Sequence, residues 1–187
     1  MDATGHQSLE QLLGHTDHIQ QSPKQRGTLE LIVRRPQTDL REVVQSAELD
    51  LQQGLVGDNW LARGSKKTGD GSAHPDMQLN LMNSRSIAAI AGDPGNWPLA
   101  GDQLFVDLDL SDNNLPPGTR LSIGSARIEI TAMPHLGCLK FSRRFGADAV
   151  RFVNSDLGKL LNLRGVNARV VQPGSITRGD AVEKVAP

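Results

Sequence analysis

Aromatic side chains are scarce in this chain, which argues against one class of function. Phe, Trp and Tyr make up 3% of the 187 residues, and Tyr is missing altogether. Proteins that bind single-stranded nucleic acid stack the bases on aromatic side chains. The net charge of −1 gives no basic excess that would attract nucleic acid or an anionic membrane. We therefore expect neither nucleic acid nor a membrane as a partner.

Cysteine and long apolar runs are scarce as well. Cys138 is the single cysteine, so no internal disulfide can form. This favours a reducing, cytoplasmic location. No apolar run approaches the roughly 20 residues of a membrane-spanning helix. Residues 1–11 do not combine a basic region with an apolar one, so no secretory signal is expected there.

The pattern of apolar residues predicts a mainly β fold. Residues 104–110 and 126–132 alternate apolar with polar side chains, which is typical of half-buried strands. Further strands are predicted at 29–33, 77–82, 121–123, 168–171 and 181–185, with Gly and Pro turns between them. Many short strands of this kind predict a barrel or a curled sheet with a few short peripheral helices.

The helices predicted from the sequence are short and lie between the strands. Ser84 is the predicted cap of a helix over residues 84–91, and Gly92 follows its end. The remaining predicted segments are helices at 147–152 and 157–163, a helical turn or loop at 41–51, and a polar loop at 63–76.

The chain divides into two parts by its pattern. Residues 1–27 are polar, and Ser8 is placed to cap a short helix that carries Leu9 and Leu12. We interpret this segment as an N-terminal arm or peripheral helix. Residues 28–187 hold the predicted strands and form a single domain.

An ordered set of short motifs resembles the MOSC family, the molybdenum-cofactor sulfurase C-terminal domain. The motifs are Gly-Leu-Val-Gly-Asp at 54–58, Gly-Asp-Gln-Leu-Phe at 101–105, the lone Cys138, Arg-Gly-Val-Asn-Ala-Arg-Val at 164–170, and the final hairpin at 174–182. The resemblance covers roughly residues 29–185. Gly137 stands where many family members carry Pro before the cysteine.

The resemblance implies a β-barrel-like MOSC fold and a pterin-type molybdenum cofactor. In this family the cysteine is implied either as a molybdenum ligand or as a carrier of persulfide sulfur. Some members reduce N-hydroxylated compounds with electrons from a partner protein. Two classes therefore stay open: a molybdenum-dependent oxidoreductase with an electron-transfer partner, and a non-catalytic sulfur carrier with a sulfur-donor protein. Pyridoxal phosphate is not expected, because the chain has no room for a desulfurase domain.

Cys138 is the centre of the predicted site. A thiolate is a soft metal ligand and a good nucleophile, and positive charge nearby favours it over the thiol. The cationic neighbours are Lys140, Arg143 and Arg144, of which adjacent Arg143 and Arg144 cannot both face one site. The other interpretation is a small buried hydrophobe with no chemical role.

Three further residues are candidates, each with an ordinary alternative. His135 can contact the metal site or move protons near neutral pH; otherwise it is a loop histidine with one backbone hydrogen bond. Arg164, with Lys140 or Arg143, can bind the phosphate or pterin of the cofactor; otherwise Arg164 pairs with an acid such as Asp180. Gly165 permits positive φ or a close backbone approach at this turn.

Overall fold

Seven strands close into a barrel in the computed structural model, which describes residues 5–185. The strands are β1 (Arg26–Arg34), β2 (Glu42–Val44), β3 (Ser46–Asp50), β4 (Gly54–Leu55), β5 (Leu79–Asn83), β6 (Leu104–Asp107), β7 (Arg120–Ile123), β8 (Ala126–Ile130), β9 (Val166–Gln172), β10 (Gly174–Thr177) and β11 (Ala181–Val185). The barrel order is β11-β7-β8-β9-β5-β6-β1, and pairing of β1 with β11 closes it. The mainly β, barrel-like prediction is therefore confirmed.

Two additions extend the barrel. Strand β2 continues the sheet beyond β1, and β10, β3 and β4 form a separate small sheet. The barrel pairings are antiparallel apart from β5 with β6, which run parallel. A parallel pair needs a crossover connection, and here a helix and a 3-10 segment provide it.

The helices are short and lie around the barrel. They are α1 (Leu9–Leu13), α2 (Thr16–Gln20), α3 (Trp60–Arg63), α4 (Ser84–Ala91), α5 (Leu139–Phe145), α6 (Ala147–Asn154) and α7 (Asp156–Leu160), with 3-10 segments at Pro75–Met77 and Pro94–Ala100. No helix in residues 5–185 is both long and apolar enough to span a bilayer.

Alternation along the strands divides the core in two. Leu104 and Val106 of β6 belong to a cluster with members on every barrel strand, whereas Phe105 between them belongs to a second cluster. Helices α1, α2 and α4–α6 cover that second cluster. Strand β6 is therefore buried on both of its faces. It ends at Asp107, whereas the alternation of the sequence continues to residue 110.

The N-terminal segment packs on this second cluster. Ser8 caps α1 as predicted, and its side chain accepts a hydrogen bond from Gln11 N. Leu12 of α1 and Ile19 of α2 are buried there. Residues 1–4 of the predicted arm, and 186–187 at the other end, lie outside the described part of the chain.

Several segments differ from the sequence prediction, helix α5 (Leu139–Phe145) among them. Residues 41–51 hold β2 and β3 instead of a helical turn or loop. Their side chains are mainly half-buried or exposed, with Leu49 the one buried residue, although residues 46–50 do alternate polar with apolar side chains. Gly174–Thr177, within the segment that resembles the family's final hairpin, forms β10 and pairs with β3.

Candidate functional site

Cys138 lies at the start of α5, on an exposed loop that follows β8. It occupies the position before the first helical residue, and its carbonyl oxygen accepts a hydrogen bond from Ser142 N at 3.0 Å. The thiol is free and the residue is exposed. Cys138 is therefore not the buried hydrophobe that the alternative interpretation required.

The residue before the cysteine is fixed by Asn154 of α6. Gly137 N donates to Asn154 Oδ1 at 2.8 Å, and Asn154 Nδ2 donates to the Gly137 carbonyl at 2.9 Å. A Cβ at position 137 would lie 2.8 Å from Val153 Cγ2. A proline here would lose the N–H that binds Asn154. Gly137, the residue that departs from the family pattern, is thus held by two hydrogen bonds with Asn154.

Cys138 borders a cavity of about 260 Å³ that we call the cysteine cavity. Its charged lining residues are Arg35, Arg41, Arg63, Lys140 and Arg144, with Asp39 as the acid among them. Sequence reasoning named Lys140 for this role. It missed Arg35 and Arg41 and placed Arg63 on a solvated loop.

Part of this positive charge is not neutralised. Arg35 is held by a two-point ion pair with buried Asp58, at 2.8 and 2.9 Å, and Arg144 pairs with Asp39 at 3.0 Å. Within residues 5–185, no ion pair involves Arg41, Arg63 or Lys140. Burial, together with the charges of Arg144 and Arg35, lowers the pKa of Arg41. The cavity therefore favours an anion.

One buried donor in the cavity wall also lacks an acceptor. Arg41 Nε is buried and has no hydrogen-bond partner among the described residues. Buried polar groups are nearly always paired in folded proteins. The unpaired N–H is consistent with an anionic ligand that completes this wall.

The adjacent side chains of Arg143 and Arg144 on α5 do not share one site, as expected. Arg144 lines the cysteine cavity, whereas Arg143 is exposed and borders neither of the two cavities described in this section. Lys140 and Arg144 are four residues apart on the helix and so share a face. Because α5 itself was not predicted, the sequence alone could not choose Arg144 over Arg143.

Asp102, His135 and Arg164 form a buried cluster of hydrogen-bonded side chains next to the loop that leads to Cys138. Asp102 Oδ1 lies 2.8 Å from His135 Nε2, and Asp102 Oδ2 lies 2.7 Å from Arg164 Nη1. Burial alone would raise the pKa of Asp102, but the charges of Arg164 and His135 outweigh it and lower that pKa to about 2. Asp102 is therefore ionised at neutral pH.

His135 is neutral in this arrangement. Burial and the Arg164 charge lower the pKa of His135 more than Asp102 raises it. An ionised carboxylate can only accept hydrogen bonds, so the neutral ring donates Nε2–H to Asp102 and keeps the lone pair on Nδ1. The partner of His135 is thus a carboxylate, not the backbone group of the ordinary alternative.

Arg164 is buried and already engaged. Besides Asp102, it donates to the Ala100 carbonyl at 3.0 Å, and its guanidinium carbon lies 4.7 Å from the centre of the Phe141 ring. The acid that holds it is Asp102, since Asp180 accepts from Thr177 N instead. Arg164 does not border the cysteine cavity.

Gly165 adopts the conformation predicted for it. Its φ is +111°, and an added Cβ would collide with the Leu81 carbonyl oxygen and lie 3.3 Å from His135 Cδ2. The glycine therefore lets the turn before β9 approach both β5 and the histidine.

The helix start at residues 83–85 is occupied by contacts within the protein. Asn83 caps α4 by accepting from Ser86 N, and Arg85 pairs with Asp107 at 2.7 Å. The predicted cap, Ser84, is instead the first helical residue. Within residues 5–185, no three His, Cys, Asp or Glu side chains gather as metal ligands.

A second cavity, of about 430 Å³, lies on the other side of the loop, and we call it the apolar cavity. His135 borders both cavities, whereas Cys138 borders only the cysteine cavity. Asp102, which sequence reasoning did not single out as a site residue, thus orients the side chain that the two cavities share. Its position in the motif at 101–105 was the available signal.

Solved structures share this fold. The YUAD protein from Bacillus subtilis superimposes with a TM-score of 0.64 at 17% identity, over 85% of this chain and 95% of that chain. YiiM from Escherichia coli gives 0.55 at 20% identity, over 87% and 70%. YiiM from Geobacillus stearothermophilus gives 0.52 at 14% identity, over 88% and 75%. At such identities the likeness establishes the fold alone.

The sequence comparisons identify the family. None of the curated proteins compared with the chain matches it significantly. The family model of the MOSC domain matches residues 68–183, which is more than half of the chain. These residues carry Cys138, His135, Asp102 and Arg164. The chain therefore belongs to the MOSC domain family.

Proposed function

We propose that this protein binds a pterin-type molybdenum cofactor, with Cys138 as the metal ligand and the cysteine cavity as the seat of the anionic part. The observation that carries the proposal is the placement of an exposed thiol at the edge of a cavity whose cationic side chains outnumber its acids. The family resemblance implies the same cofactor.

The residues present fit such a group. A pterin cofactor brings a phosphate and a metal that accepts soft ligands, and the cavity supplies cations for the first and sulfur for the second. The unpaired Arg41 Nε–H gives the phosphate or a pterin oxygen a buried donor. The fit thus rests on three independent features: the thiol, the charge and the unpaired donor.

Each residue of this chain has a separate task in the proposal. Cys138 holds the metal. Lys140 and Arg41, which form no ion pair within residues 5–185, bind the anionic group, and Arg144, whose pair with Asp39 is exposed, takes beside them the role that the sequence gave to Arg143. Arg164 and Gly165 act indirectly, since Arg164 fixes Asp102 and Gly165 leaves room for His135. His135 takes and returns a proton at Nδ1.

The reaction that we propose is the reduction of an N-hydroxylated compound. When bound, the cofactor would supply two-electron redox chemistry. The reduction breaks the N–O bond, consumes two electrons and two protons, and releases water. An electron-transfer protein supplies the electrons, and His135 relays protons from solvent. The neutral ring with a free Nδ1 lone pair suits that relay.

A second candidate is a non-catalytic sulfur carrier, and the surroundings of the thiol favour it. Leu136 and Leu139 flank Cys138 and are 49% and 68% exposed. An exposed thiol between exposed leucines suits transfer of a persulfide sulfur to or from a protein in contact. In this case Cys138 carries the sulfur, and no turnover of a small molecule follows.

Molybdenum and pterin contents test the proposal. The wild type, Cys138→Ala, Arg144→Ala and Arg143→Ala are purified from a host that makes the cofactor. We expect molybdenum and pterin together in the wild type and in Arg143→Ala, reduced amounts in Arg144→Ala, and none in Cys138→Ala. Absence of both from the wild type would overturn the proposal. A persulfide on Cys138, detected by mass spectrometry in protein without molybdenum, would favour the carrier instead.

A further inference from the structure

We propose that the apolar cavity binds the organic body of the substrate, an uncharged aromatic or branched aliphatic molecule with a hydrogen-bond acceptor. The role of this molecule as a substrate rests on the proposed function, whereas its binding can be measured independently of that function. The cavity, of about 430 Å³, falls within the usual range for small-molecule sites, roughly 300–1,000 Å³.

The lining of this cavity is mainly apolar. Its side chains include Leu115, Ile130, Met133, Leu136, Val153 and Val166. They come from barrel strands β8 and β9, from the segment between β6 and β7, from the loop that leads to Cys138, and from α6. Burial of an apolar surface against such walls drives binding of a molecule with a hydrocarbon body.

The charges around the apolar cavity balance, in contrast to those of the cysteine cavity. Asp112 and Lys159 contribute one charge of each sign, and Arg164 is neutralised by Asp102. Asp112 also accepts a hydrogen bond from Asn162 at 2.8 Å. A lining without net charge favours an uncharged ligand, because a charged one would lose its hydration without a counter-charge.

One side-chain N–H among the lining residues lacks a hydrogen-bond acceptor in the described part of the chain. Arg164 Nε is buried and, within residues 5–185, has no hydrogen-bond partner. Asn167, another polar lining residue, accepts from Asn80 Nδ2 at 2.6 Å and donates to the Met133 carbonyl at 2.9 Å. A carbonyl or hydroxyl oxygen on the ligand would supply the acceptor that Arg164 lacks.

The loop before α5 is the partition between the two cavities. Met133, Pro134 and Leu136 border the apolar cavity, Cys138 borders the cysteine cavity, and His135 borders both. A molecule in the apolar cavity would therefore lie against the same imidazole that faces the cysteine cavity. This places an organic substrate within reach of a proton relay beside Cys138.

Binding of benzamide tests the proposal directly. Benzamide is uncharged and aromatic and carries a carbonyl acceptor. Titration is followed by the methyl resonances of Ile130, Val153 and Val166 in ¹H–¹³C spectra. We expect saturable shifts of these methyl groups in the wild type, and binding of benzoate at least about tenfold weaker, because the lining carries no net positive charge to offset the lost hydration of its carboxylate.

A cavity-filling variant and a matched control locate the binding. Ala132 is exposed and borders the apolar cavity, whereas Ala88 is exposed on α4 and borders neither cavity. We expect Ala132→Phe to weaken benzamide binding by at least about tenfold and Ala88→Phe to leave it unchanged. Leu136→Glu, which adds a charge at a half-exposed position, weakens binding in the same way should Ala132→Phe fail to fold. No saturable shifts in the wild type, or equal binding in all variants, would overturn the proposal.

Failure of this proposal is distinguishable from failure of the proposed function. Cys138→Ala, in which the cofactor is expected to be absent, must bind benzamide as the wild type does. Wild type loaded with molybdenum and pterin must bind it too. Loss of benzamide binding in the loaded protein would show that the cofactor fills the apolar cavity, and would overturn the inference while leaving the cofactor proposal intact.

Discussion

Asp102 is buried between His135 and Arg164, and its two carboxylate oxygens accept from both of them. Removing one partner of a buried ion pair is strongly destabilising, because the other charge remains buried without compensation. Asp102 therefore has two effects: it neutralises Arg164, and it fixes which nitrogen of His135 carries the proton.

Asp102→Asn removes that charge while keeping the shape of the side chain. We expect it to lower the free energy of unfolding by about 3 kcal/mol, because Arg164 stays buried without a counter-ion. Urea unfolding measures the change. Asp39→Asn is the matched control, since its pair with Arg144 is exposed and such pairs contribute less than about 1 kcal/mol. Equal effects of the two substitutions would contradict the buried-pair account.

The stability of the protein should fall as the pH falls below about 6.5. Burial and Arg164 lower the pKa of His135 below the value of about 6.5 in an unfolded chain, so the unfolded state binds the proton first. The histidine contribution is thus present above pH 6.5 and is lost as the pH falls toward the folded pKa. Asp102, with its pKa lowered to about 2, adds a second loss between about pH 4 and 2.

His135→Gln tests the first of these losses. Urea midpoints at pH 7.5, 6 and 5 should decline less steeply in this variant than in the wild type. His18→Gln replaces an exposed histidine and should keep the wild-type slope. Identical slopes in all three proteins would mean that His135 does not titrate differently in the folded and unfolded chains.

At the scale of single elements, α4 shows how far local sequence rules reach. The extent 84–91 and the glycine after it agree with prediction, but the cap is one residue earlier. Asn83 is the last residue of β5, and its side chain caps α4. The same side chain also donates to Ser22 Oγ and to the Leu108 carbonyl. Those two acceptors are distant in sequence, so the pattern around residue 84 did not reveal them.

Replacing Asn83 and Ser84 by alanine, one at a time, shows which of the two residues caps α4. We expect Asn83→Ala to cost about 2 kcal/mol, because it removes a cap and leaves buried backbone groups without partners. Ser84→Ala should cost less than about 0.5 kcal/mol, since alanine is a good first helical residue. Unfolding midpoints of the two variants give the comparison. A larger loss of unfolding free energy in Ser84→Ala than in Asn83→Ala would show that Ser84 is the cap, as the sequence predicted.

The elements that the sequence missed still left a signal in it. The side chains of β2 and β3 are mainly half-buried or exposed, with Leu49 the one buried residue, but residues 46–50 of β3 alternate polar with apolar side chains. Helix α5 was missed although Phe141 and Phe145 are four residues apart and both buried. That spacing was the available signal for a helix.

At the scale of the whole molecule, closure of the barrel depends on a glycine. Gly27 pairs with Val182 where β1 meets β11. A Cβ at Gly27 would collide with the Asp107 carbonyl oxygen on the other side of β1. The sequence marked Gly27 only as the end of the N-terminal segment, because the close approach arises from strands that lie far apart in the chain.

Gly27→Ala should therefore weaken the closed barrel. We expect a loss of about 2 kcal/mol, because overpacking forces β1 and β6 apart. Gly69→Ala is the control, since a Cβ there meets no atom within 4 Å. Thermal and urea unfolding compare the two variants. Wild-type stability of Gly27→Ala would show that the strands can separate at no cost.

The candidate site was predictable where it is local and not where the fold assembles it. Cys138, His135 and Lys140 lie within six residues, and the sequence identified them. Arg35 and Arg41 reach the same region from other elements, and nothing in their local sequence signals that meeting. Of the predicted N-terminal segment, residues 26–27 belong to β1; we propose that residues 5–25 are a peripheral part of the domain, supported by the burial of Leu12 and Ile19.

The central claim is that Cys138 ligates molybdenum, and X-ray absorption at the molybdenum edge tests it most directly. Wild type and Cys138→Ser would be loaded with the cofactor and measured side by side. The account predicts one sulfur ligand fewer in Cys138→Ser, with an oxygen or nitrogen in its place. The same number of sulfur ligands in both proteins would contradict it and leave Cys138 without a role at the metal.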